Sequence, residues 1–182
     1  MDLNTVYRGL LALDAIALVG IIFVIKMGYG KLFPEICGIQ CSEIVWYVLL
    51  LGLYALVTYG LLFCSRWLGT DKIEGGITSI EPANNAFLPS YLGYFFVGLS
   101  VPNCEVFVFV FGILFVFTFV SQTLYFNPLF LLFGYQFYYV STENNAKIFI
   151  VSKLILRNNV ELSFQNLRRI TDFTYIDMDG SK

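Results

Sequence analysis

The stretch that decides the fold runs from Val106 to Tyr139 and reads VFVFVFGILFVFTFVSQTLYFNPLFLLFGYQFYY. No charged residue lies between Glu105 and Glu143. A bilayer-spanning helix needs roughly 20 apolar residues, so this run is longer than one span. The alternating VFVFVF is also typical of a strand, but a single strand in lipid would leave its backbone amides without partners. The run therefore predicts a membrane-spanning helix with a further element after it.

Pro128 predicts where this helix ends. Proline has no backbone N–H and clashes with the preceding helical turn. The residue before it, Asn127, is pushed away from the α region. We therefore predict a last span from Val106 to about Leu124. Tyr125, Asn127 and Pro128 then form a junction at which the chain leaves the bilayer.

The composition is typical of an integral membrane protein. Of the 182 residues, 58% are hydrophobic and 13% are charged, and the mean hydropathy is +0.73, whereas globular domains are about a quarter charged. The net charge of −2 provides no basic field for direct nucleic-acid binding. Histidine is absent, and no Walker loop, activated nucleophile or paired-carboxylate site is present. We therefore predict no enzymatic activity, no cofactor and no metal site.

Three further apolar runs precede the last span. We interpret Gly9–Ile25 as an uncleaved first span and not as a signal peptide, because Asp14 interrupts it. Ile44–Cys64 is predicted to be the second span. Leu88–Val101 is short, so it is either a re-entrant segment or a short, tilted third span. The polar segment Arg66–Phe87 is interpreted as a loop with several turn-forming residues.

The basic residues decide between three and four spans. With four spans and a cytoplasmic N-terminus, nine bases lie inside and two outside, which is a strong positive-inside bias. The inside set is Arg8, Arg66, Lys72, Lys147, Lys153, Arg157, Arg168, Arg169 and Lys182, and the outside set is Lys26 and Lys31. We therefore predict an α-helical integral membrane protein with four transmembrane helices, in residues 1–128, and with both termini cytoplasmic.

Beyond the junction the chain changes to strand-forming residues, which we assign to a small cytoplasmic α+β tail, residues 129–182. Phe137–Ser141 and Lys147–Ser152 predict a β-hairpin, and Phe173–Ile176 predicts a closing strand. Ser163 is placed to cap a short helix. The apolar face of that helix would comprise Phe164, Leu167 and Ile170.

Polar and small residues in the spans are candidates for contacts between helices or subunits. Asp14 is the only acid inside a predicted span, where a carboxylate costs about 2.5–3.5 kcal/mol at the helix centre. One interpretation is that Asp14 is part of a polar pathway or bonds to a neighbouring helix. The other is that it lies near the membrane interface and bonds to Tyr, Thr or water. Small residues permit close helix approach, and polar residues bond across helices, which predicts a homo-oligomer. The candidate set is Asp14, Gly52, Gly60, Gly93, Gly98, Ser121, Gln122 and Thr123.

Cys37 and Cys41 are candidates for a disulfide in the predicted outer loop. An oxidising compartment would permit this bond. Cys104 is predicted to lie on the same side, and three cysteines cannot all pair within one chain. Cys64 is predicted to face inward and to stay reduced.

The tail carries a mixed set of charges and aromatic residues that suits a protein contact. Arginine pairs bidentately with carboxylates, and arginine and aromatic residues dominate many interface hot spots. The alternative is an ordinary solvated surface. The candidate contact residues are Arg157, Arg168, Arg169, Asp172 and Phe173.

Three stretches carry a resemblance to a known family: SQTLYFNPLFLLFGYQFYYV (Ser121–Val140), KIFIVSK (Lys147–Lys153) and ELSFQNLRRITDFTYID (Glu161–Asp177). They resemble the KwaA family, the membrane subunits of the two-gene Kiwa anti-phage defence system of bacteria. The resemblance implies a four-span inner-membrane protein that assembles into oligomers, with a tetramer favoured. It also implies that the protein senses phage infection and works with KwaB, a cytoplasmic DNA-binding effector.

Two functions from different classes follow. The first is a non-enzymatic sensor and scaffold that recruits and controls a KwaB-like effector. The second is a small oligomeric pore or transport subunit. A pore needs polar groups that replace the water around an ion, and in the predicted spans only Asp14 and the Ser121–Thr123 cluster qualify. The sensor and scaffold is therefore the favoured prediction.

Overall fold

The computed structural model describes residues 3–29, 35–36, 39–40, 42–71, 76–84, 88–121, 127–143, 146–156, 164 and 166–177. The helices occupy the mainly apolar runs of the sequence. They are α1 (Leu3–Met27), α2 (Glu43–Cys64), α3 (Leu88–Ser100), α4 (Cys104–Ser121) and the short α5 (Pro128–Leu132). One turn of 3-10 helix, Ser65–Trp67, follows α2.

The first helix, α1, is the helix against which α2 and α3 pack. The Tyr7 hydroxyl near its start donates to the Leu61 carbonyl near the end of α2, at 2.9 Å, so these helices are antiparallel. At its other end the Lys26 ammonium donates to the Val101 carbonyl just after α3, at 2.6 Å. Helix α3 therefore runs parallel to α1, and the two helices end at the same level.

Helix α4 packs antiparallel to α1 through aromatic rings. Phe119 lies against Gly9 and Phe107 lies against Gly20. The Phe107 ring also stacks on Phe23 of α1, with ring centroids 4.3 Å apart and an interplanar angle of 11°. A Cβ placed at either glycine would be in ordinary van der Waals contact with the ring, 3.8 Å from Phe119 and 3.7 Å from Phe107. The four helices thus alternate in direction around α1.

Within the part of the chain that the structure describes, three helices are long and apolar enough to cross a membrane by length and composition, namely Asn4–Met27, Glu43–Trp67 and Cys104–Ser121. The predicted third span forms α3, which has 13 residues. At 1.5 Å per residue this helix is about 20 Å long, shorter than the hydrocarbon core of roughly 30 Å. Three apolar helices of spanning length support the predicted membrane character, and a fourth span stays a prediction.

The strands form a two-stranded antiparallel sheet and a mixed six-stranded sheet. They are β1 (Glu35–Ile36), β2 (Ile39–Gln40), β3 (Thr70–Asp71), β4 (Ile77–Pro82), β5 (Gln136–Thr142), β6 (Lys147–Ser152), β7 (Leu167–Arg169) and β8 (Thr174–Asp177). β1 pairs with β2, and the sheet has the order β3-β7-β8-β6-β5-β4. Only β6 and β8 are parallel neighbours in this sheet. The antiparallel pair β5–β6 confirms the predicted hairpin, and β8 coincides with the predicted closing strand.

Two predictions about the sheet were wrong. The segment Arg66–Phe87, interpreted as a loop, contributes both edge strands, because β3 pairs with β7 and β4 pairs with β5. The predicted short helix containing Leu167 and Ile170 is not a helix, because Leu167 begins β7 and lies opposite Asp177 of β8. Ser163, its predicted cap, lies outside the described residues. Pairing with distant strands overrides the local helical spacing of the apolar residues.

A hydrophobic core joins the sheet to one end of the helical bundle. One face packs against the start of α1, the end of α2 and α5, and this core includes Tyr7, Leu11, Leu62, Phe130, Phe137, Phe149, Val151 and Ile176. The opposite face is covered by residues that follow β6, with Leu156 and Phe164 packing on Val140 and Ile150. The start of α1 and the sheet therefore lie at the same end of the bundle. Since two of its strands come from residues 70–82, the sheet is built from both sides of the predicted division at residue 128, and that division stays a prediction.

Candidate functional site

A buried polar cluster lies where the helices meet the sheet, and Asp14 is at its centre. The Thr58 hydroxyl donates to Asp14 Oδ1 at 2.9 Å, and Asn127 Nδ2 donates to Asp14 Oδ2 at 2.5 Å. Asn127 Nδ2 also lies 3.1 Å from Thr58 Oγ1. The Tyr54 hydroxyl donates to the backbone carbonyl of Asp14 at 3.0 Å. Asp14, Thr58 and Asn127 are all nearly inaccessible to solvent, so these bonds replace water around the carboxylate.

Asn127 holds two elements at once. Its backbone is extended, with φ −111° and ψ 125°, as expected for a residue before proline. Its Oδ1 accepts the Leu129 backbone N–H at 2.9 Å and so caps α5, and Pro128 occupies the first turn, where its missing N–H has no consequence. Its Nδ2 meanwhile bonds Asp14 of α1. One amide therefore joins α1 to the element that leads into the sheet.

An aromatic stack continues from this junction into the sheet. The Phe130 ring of α5 stacks on Phe137 of β5, with centroids 6.1 Å apart and an interplanar angle of 20°. Phe137 stacks in turn on Phe149 of β6, at 5.8 Å and 17°. Gly134, with φ 81°, reverses the chain between α5 and β5. A continuous packed path thus runs from Asp14 through Asn127 and α5 to the middle of the sheet.

The cluster combines the two alternatives considered for Asp14. The Asp14 carboxylate accepts from a threonine hydroxyl and an asparagine amide, which are ordinary hydrogen-bond donors for a buried carboxylate. The backbone carbonyl of Asp14 accepts from a tyrosine hydroxyl. These donors also come from α2 and from the cap of α5, so Asp14 partners neighbouring elements of its own chain. The arrangement can hold α1, α2 and α5 in one geometry. Each buried polar group that lost its hydrogen-bond partner would reduce the free energy of unfolding by about 1–3 kcal/mol.

The predicted contact residues of the tail differ in what they touch. Arg168 Nη1 donates to the Leu68 carbonyl at 2.9 Å and so holds the chain before β3. The Arg169 guanidinium pairs with the Asp172 carboxylate. This hydrogen bond raises the pKa of Arg169, so its charge is constant at physiological pH. The Phe173 ring is 62% exposed. Arg157 lies outside the described residues.

The four candidate glycines also fall into two kinds. Gly98 of α3 lies against α1, because a Cβ placed there would be 2.8 Å from Ile22 Cγ2 and 3.1 Å from the Val19 carbonyl oxygen. Nothing lies within 4 Å of a Cβ placed on Gly52, Gly60 or Gly93. Gly98 therefore serves packing within the chain, and the other three lie on open helix faces.

We expect Gly98→Ala to destabilise the protein by about 1–3 kcal/mol, because an added methyl group overpacks the contact with Ile22 and Val19. Gly93→Ala in the same helix is the matched control. It adds the same methyl group into open space and should be neutral or stabilise the helix by up to about 1 kcal/mol. Thermal unfolding in detergent measures both, and equal effects of the two variants would show that α3 does not pack on α1 through Gly98.

The remaining candidates are only partly described. Ser121 is exposed at the last residue of α4. Gln122, Thr123, Cys37 and Cys41 lie outside the described residues, so the polar helix end and the disulfide stay predictions. Cys64 and Cys104 have free thiols, and Cys104 Sγ lies 2.9 Å from the Tyr29 hydroxyl. Among the described residues, no group of three or more Cys, Asp or Glu side chains is arranged to hold a metal ion.

Sequence reasoning found Asp14 but missed its partners. Tyr54 and Thr58 lie one helical turn apart in α2, and Asn127 lies 113 residues away from Asp14 in the chain. One signal was available: a carboxylate in an apolar span requires donors, and Asn127 stands directly before a proline at a helix start. The edge strands that extend the sheet gave no comparable signal.

Comparison with known proteins gives one match. A family model described as "Anti-phage protein KwaA" matches residues 7–176, a range that includes α1 from Tyr7 onward, α2 to α5 and the six-stranded sheet apart from the last residue of β8. Comparisons with curated proteins and with solved structures give no match. Because the matched range covers nearly the whole chain, it includes Asp14, Thr58 and Asn127 as well as the sheet. The chain belongs to the KwaA family of anti-phage proteins.

Proposed function

We propose that this chain is a non-enzymatic sensor and scaffold of the bacterial inner membrane, which recruits and controls a cytoplasmic DNA-binding effector of the KwaB type. Membership of an anti-phage family supports a role in defence. Apolar helices of spanning length support a membrane location. The charge distribution supports cytoplasmic termini, since nine of eleven bases fall on that side of a four-span arrangement.

The observation that carries this proposal is the packed path from the bundle to the sheet. A membrane sensor needs a change in its spans to alter a surface outside the membrane. Asp14 of α1 is bonded to Asn127, Asn127 caps α5, and Phe130 of α5 stacks on Phe137 of the sheet. A shift of α1 relative to α2 would break or move these contacts. We propose that these packed contacts pass such a shift on to the sheet.

The effector contact is proposed at Phe173, directly before the first residue of β8. Phe173 projects a large apolar ring into solvent, beside the charged pair of Arg169 and Asp172. An exposed aromatic residue with charged neighbours resembles the centre and rim of many protein interfaces. Arg168 is less suitable as a probe, because its bond to the Leu68 carbonyl holds the chain before β3. Arg168→Glu would therefore disturb the sheet as well as any contact.

We expect Phe173→Ala to weaken co-purification of the effector at least tenfold, which is about 1.4 kcal/mol. Because the ring is 62% exposed, the variant should fold, insert and assemble normally. Ile155→Ala is the matched control, since it removes another exposed apolar side chain of the tail, one that is 73% exposed. Affinity purification from mild detergent measures recovery. Full recovery of the effector with Phe173→Ala would place the contact elsewhere.

Homo-oligomer formation is also proposed, with a tetramer favoured by the family resemblance. None of the 18 residues of α4 is fully buried within one chain, and Gly52 and Gly60 lie on an open face of α2. Small residues and long apolar faces allow close packing between subunits in lipid. The mass of the complex in mild detergent tests this, and a single-subunit mass would contradict it.

A further inference from the structure

Two exposed cations lie where the sheet meets the end of α2, close to the Tyr135 side chain. Lys153 directly follows β6, and its Nζ atom lies 4.9 Å from the centroid of the Tyr135 ring. Arg66 lies in the 3-10 turn that follows α2, and its Cζ atom lies 4.7 Å from the centroid of the Phe63 ring. Both cations are exposed. Together they form a positive patch that belongs partly to the bundle and partly to the sheet.

Tyr135 relates the two cations of this positive patch to each other. Burial raises the pKa of the Tyr135 hydroxyl, and the nearby Arg66 charge acts in the opposite direction. The Lys153 ammonium lies over the ring of the same tyrosine. The Asp177 carboxylate also acts on the hydroxyl, but it is buried and accepts the Ser152 hydroxyl at 2.8 Å. This acid is therefore already bonded and shielded from solvent, whereas both cations are exposed.

The N–H donors of the positive patch are available to a ligand. Among the residues that the structure describes, neither Arg66 nor Lys153 has a hydrogen bond or an ion pair, and each lies over an aromatic ring. The Arg169 guanidinium, in contrast, is paired with the Asp172 carboxylate. A ring face attracts a cation through its quadrupole and leaves the N–H groups of a guanidinium and an ammonium free to donate. The patch can therefore bind an anion without breaking an existing ion pair.

The positive patch lies at the level of the lipid headgroups when the bundle is in a bilayer. Helix α2 has 22 residues, so it is about 33 Å long, close to the hydrocarbon core of roughly 30 Å. Arg66 follows its last residue by two. The neighbouring Trp67 is 71% exposed, and Leu132 at the end of α5, which packs on α2, is 79% exposed. Tryptophan is enriched at the headgroup level, so acyl chains can cover these two side chains while a headgroup faces the cations.

We propose that Arg66 and Lys153 together bind the phosphate of an anionic phospholipid, phosphatidylglycerol, on the side of the membrane that carries the sheet. The inference rests on the proposed membrane location of the bundle, and it adds a lipid ligand to the proposed sensor. Two cations with free donors match a headgroup that carries no positive group of its own. An ethanolamine or choline headgroup would bring a further cation to the patch. Because Arg66 follows α2 and Lys153 follows β6, one bound lipid would tie the sheet to the end of the bundle.

The test uses the full-length protein in nanodiscs of phosphatidylcholine that contain equal small fractions of phosphatidylglycerol and phosphatidylethanolamine. Native mass spectrometry after release counts the lipids retained by each subunit. We expect phosphatidylglycerol to be enriched about tenfold over phosphatidylethanolamine. Lys153→Gln should reduce this enrichment, and Arg66→Gln in the same chain should abolish it. Lys147→Gln is the matched control and should keep it, because the Lys147 ammonium also lies over a tyrosine ring, 4.7 Å from that of Tyr139, but at the opposite end of β6.

Equal retention of phosphatidylglycerol and phosphatidylethanolamine, or equal enrichment in Lys153→Gln and Lys147→Gln, would overturn the proposal. An excess of free glycerol phosphate should leave the lipid bound, because it lacks acyl chains, and displacement would identify a soluble phosphate as the ligand instead. Lost effector recovery with unchanged lipid enrichment in the double variant would assign the two cations to a protein contact.

The lipid site and the proposed function fail in different ways. A protein that does not enter nanodiscs would refute the membrane location and the lipid site together. A protein that enters them and binds the effector through Phe173, but retains the lipids equally, would refute the lipid site alone.

Discussion

Asn127→Asp is expected to destabilise the protein by about 3 kcal/mol or more, and adding Asp14→Asn to the same chain is expected to restore most of that loss. The Asn127 amide donates to the Asp14 carboxylate at 2.5 Å, so the single variant sets two carboxyl groups against each other in a buried site. In the double variant an amide at position 14 faces a carboxylate at position 127. The hydrogen bond is then restored with donor and acceptor exchanged.

The exchange also keeps the cap of α5, because a carboxylate accepts the Leu129 N–H as well as an amide oxygen does. Asn103→Asp is the matched control. Asn103 caps α4 by accepting the Val106 N–H at 3.0 Å, at an exposed position, and a carboxylate there should be neutral or slightly stabilising at the positive helix end. A double-mutant cycle from unfolding in detergent measures the coupling. Additive losses at positions 14 and 127 would show that the two side chains are not bonded.

The same variants at positions 14 and 127 also test whether the cluster is needed for protection against phage. If the cluster transmits a change in the spans to the sheet, protection against phage should fall in each single variant and return in the double variant. The reason is that both partners are needed to hold α5 against α1. Plating efficiency of phage on cells with each variant measures this, alongside the amount of protein in the membrane. Recovery of stability without recovery of protection would separate the structural role of the cluster from signalling.

The helices could be predicted closely, because apolar length is a property of the local sequence. The second span was predicted to begin at Ile44 and begins at Glu43. The last helix was predicted to extend to about Leu124, and the described helix ends at Ser121. The extended backbone of Asn127 follows directly from the proline after it. Each of these features depends on neighbours along the chain and on few distant contacts.

The edge strands and β7 could not be predicted, because their conformation depends on distant partners. Thr70–Asp71 is too short to carry a strand pattern and pairs with residues about a hundred positions away. Leu167 stands three residues after Phe164 and three before Ile170, which is the spacing of a helix face. Pairing of Leu167 with Asp177 places it in a strand instead. The partners of Asp14 were missed for the same reason, since Asn127 is distant in sequence.

Phe137→Ala is expected to destabilise the protein by about 3–5 kcal/mol, the usual loss when a buried phenylalanine is truncated to alanine. The ring is fully buried and stacks between Phe130 of α5 and Phe149 of β6. Its removal leaves a cavity at the point where the sheet joins the bundle. The loss should therefore concentrate in the sheet, since the helices remain held by their own contacts.

Hydrogen exchange in nanodiscs distinguishes this outcome from general unfolding. Amides of β5 and β6 should exchange faster in Phe137→Ala, while those of α1 and α2 around Asp14 and Thr58 keep most of their protection. Phe173→Ala is the control, because it removes the same side chain at an exposed position of the same sheet. Equal exchange in the two variants would contradict the role of Phe137. If the sheet loosens and effector binding falls while the Asp14 cluster stays protected, the aromatic stack is the connection through which the bundle holds the sheet in its binding form.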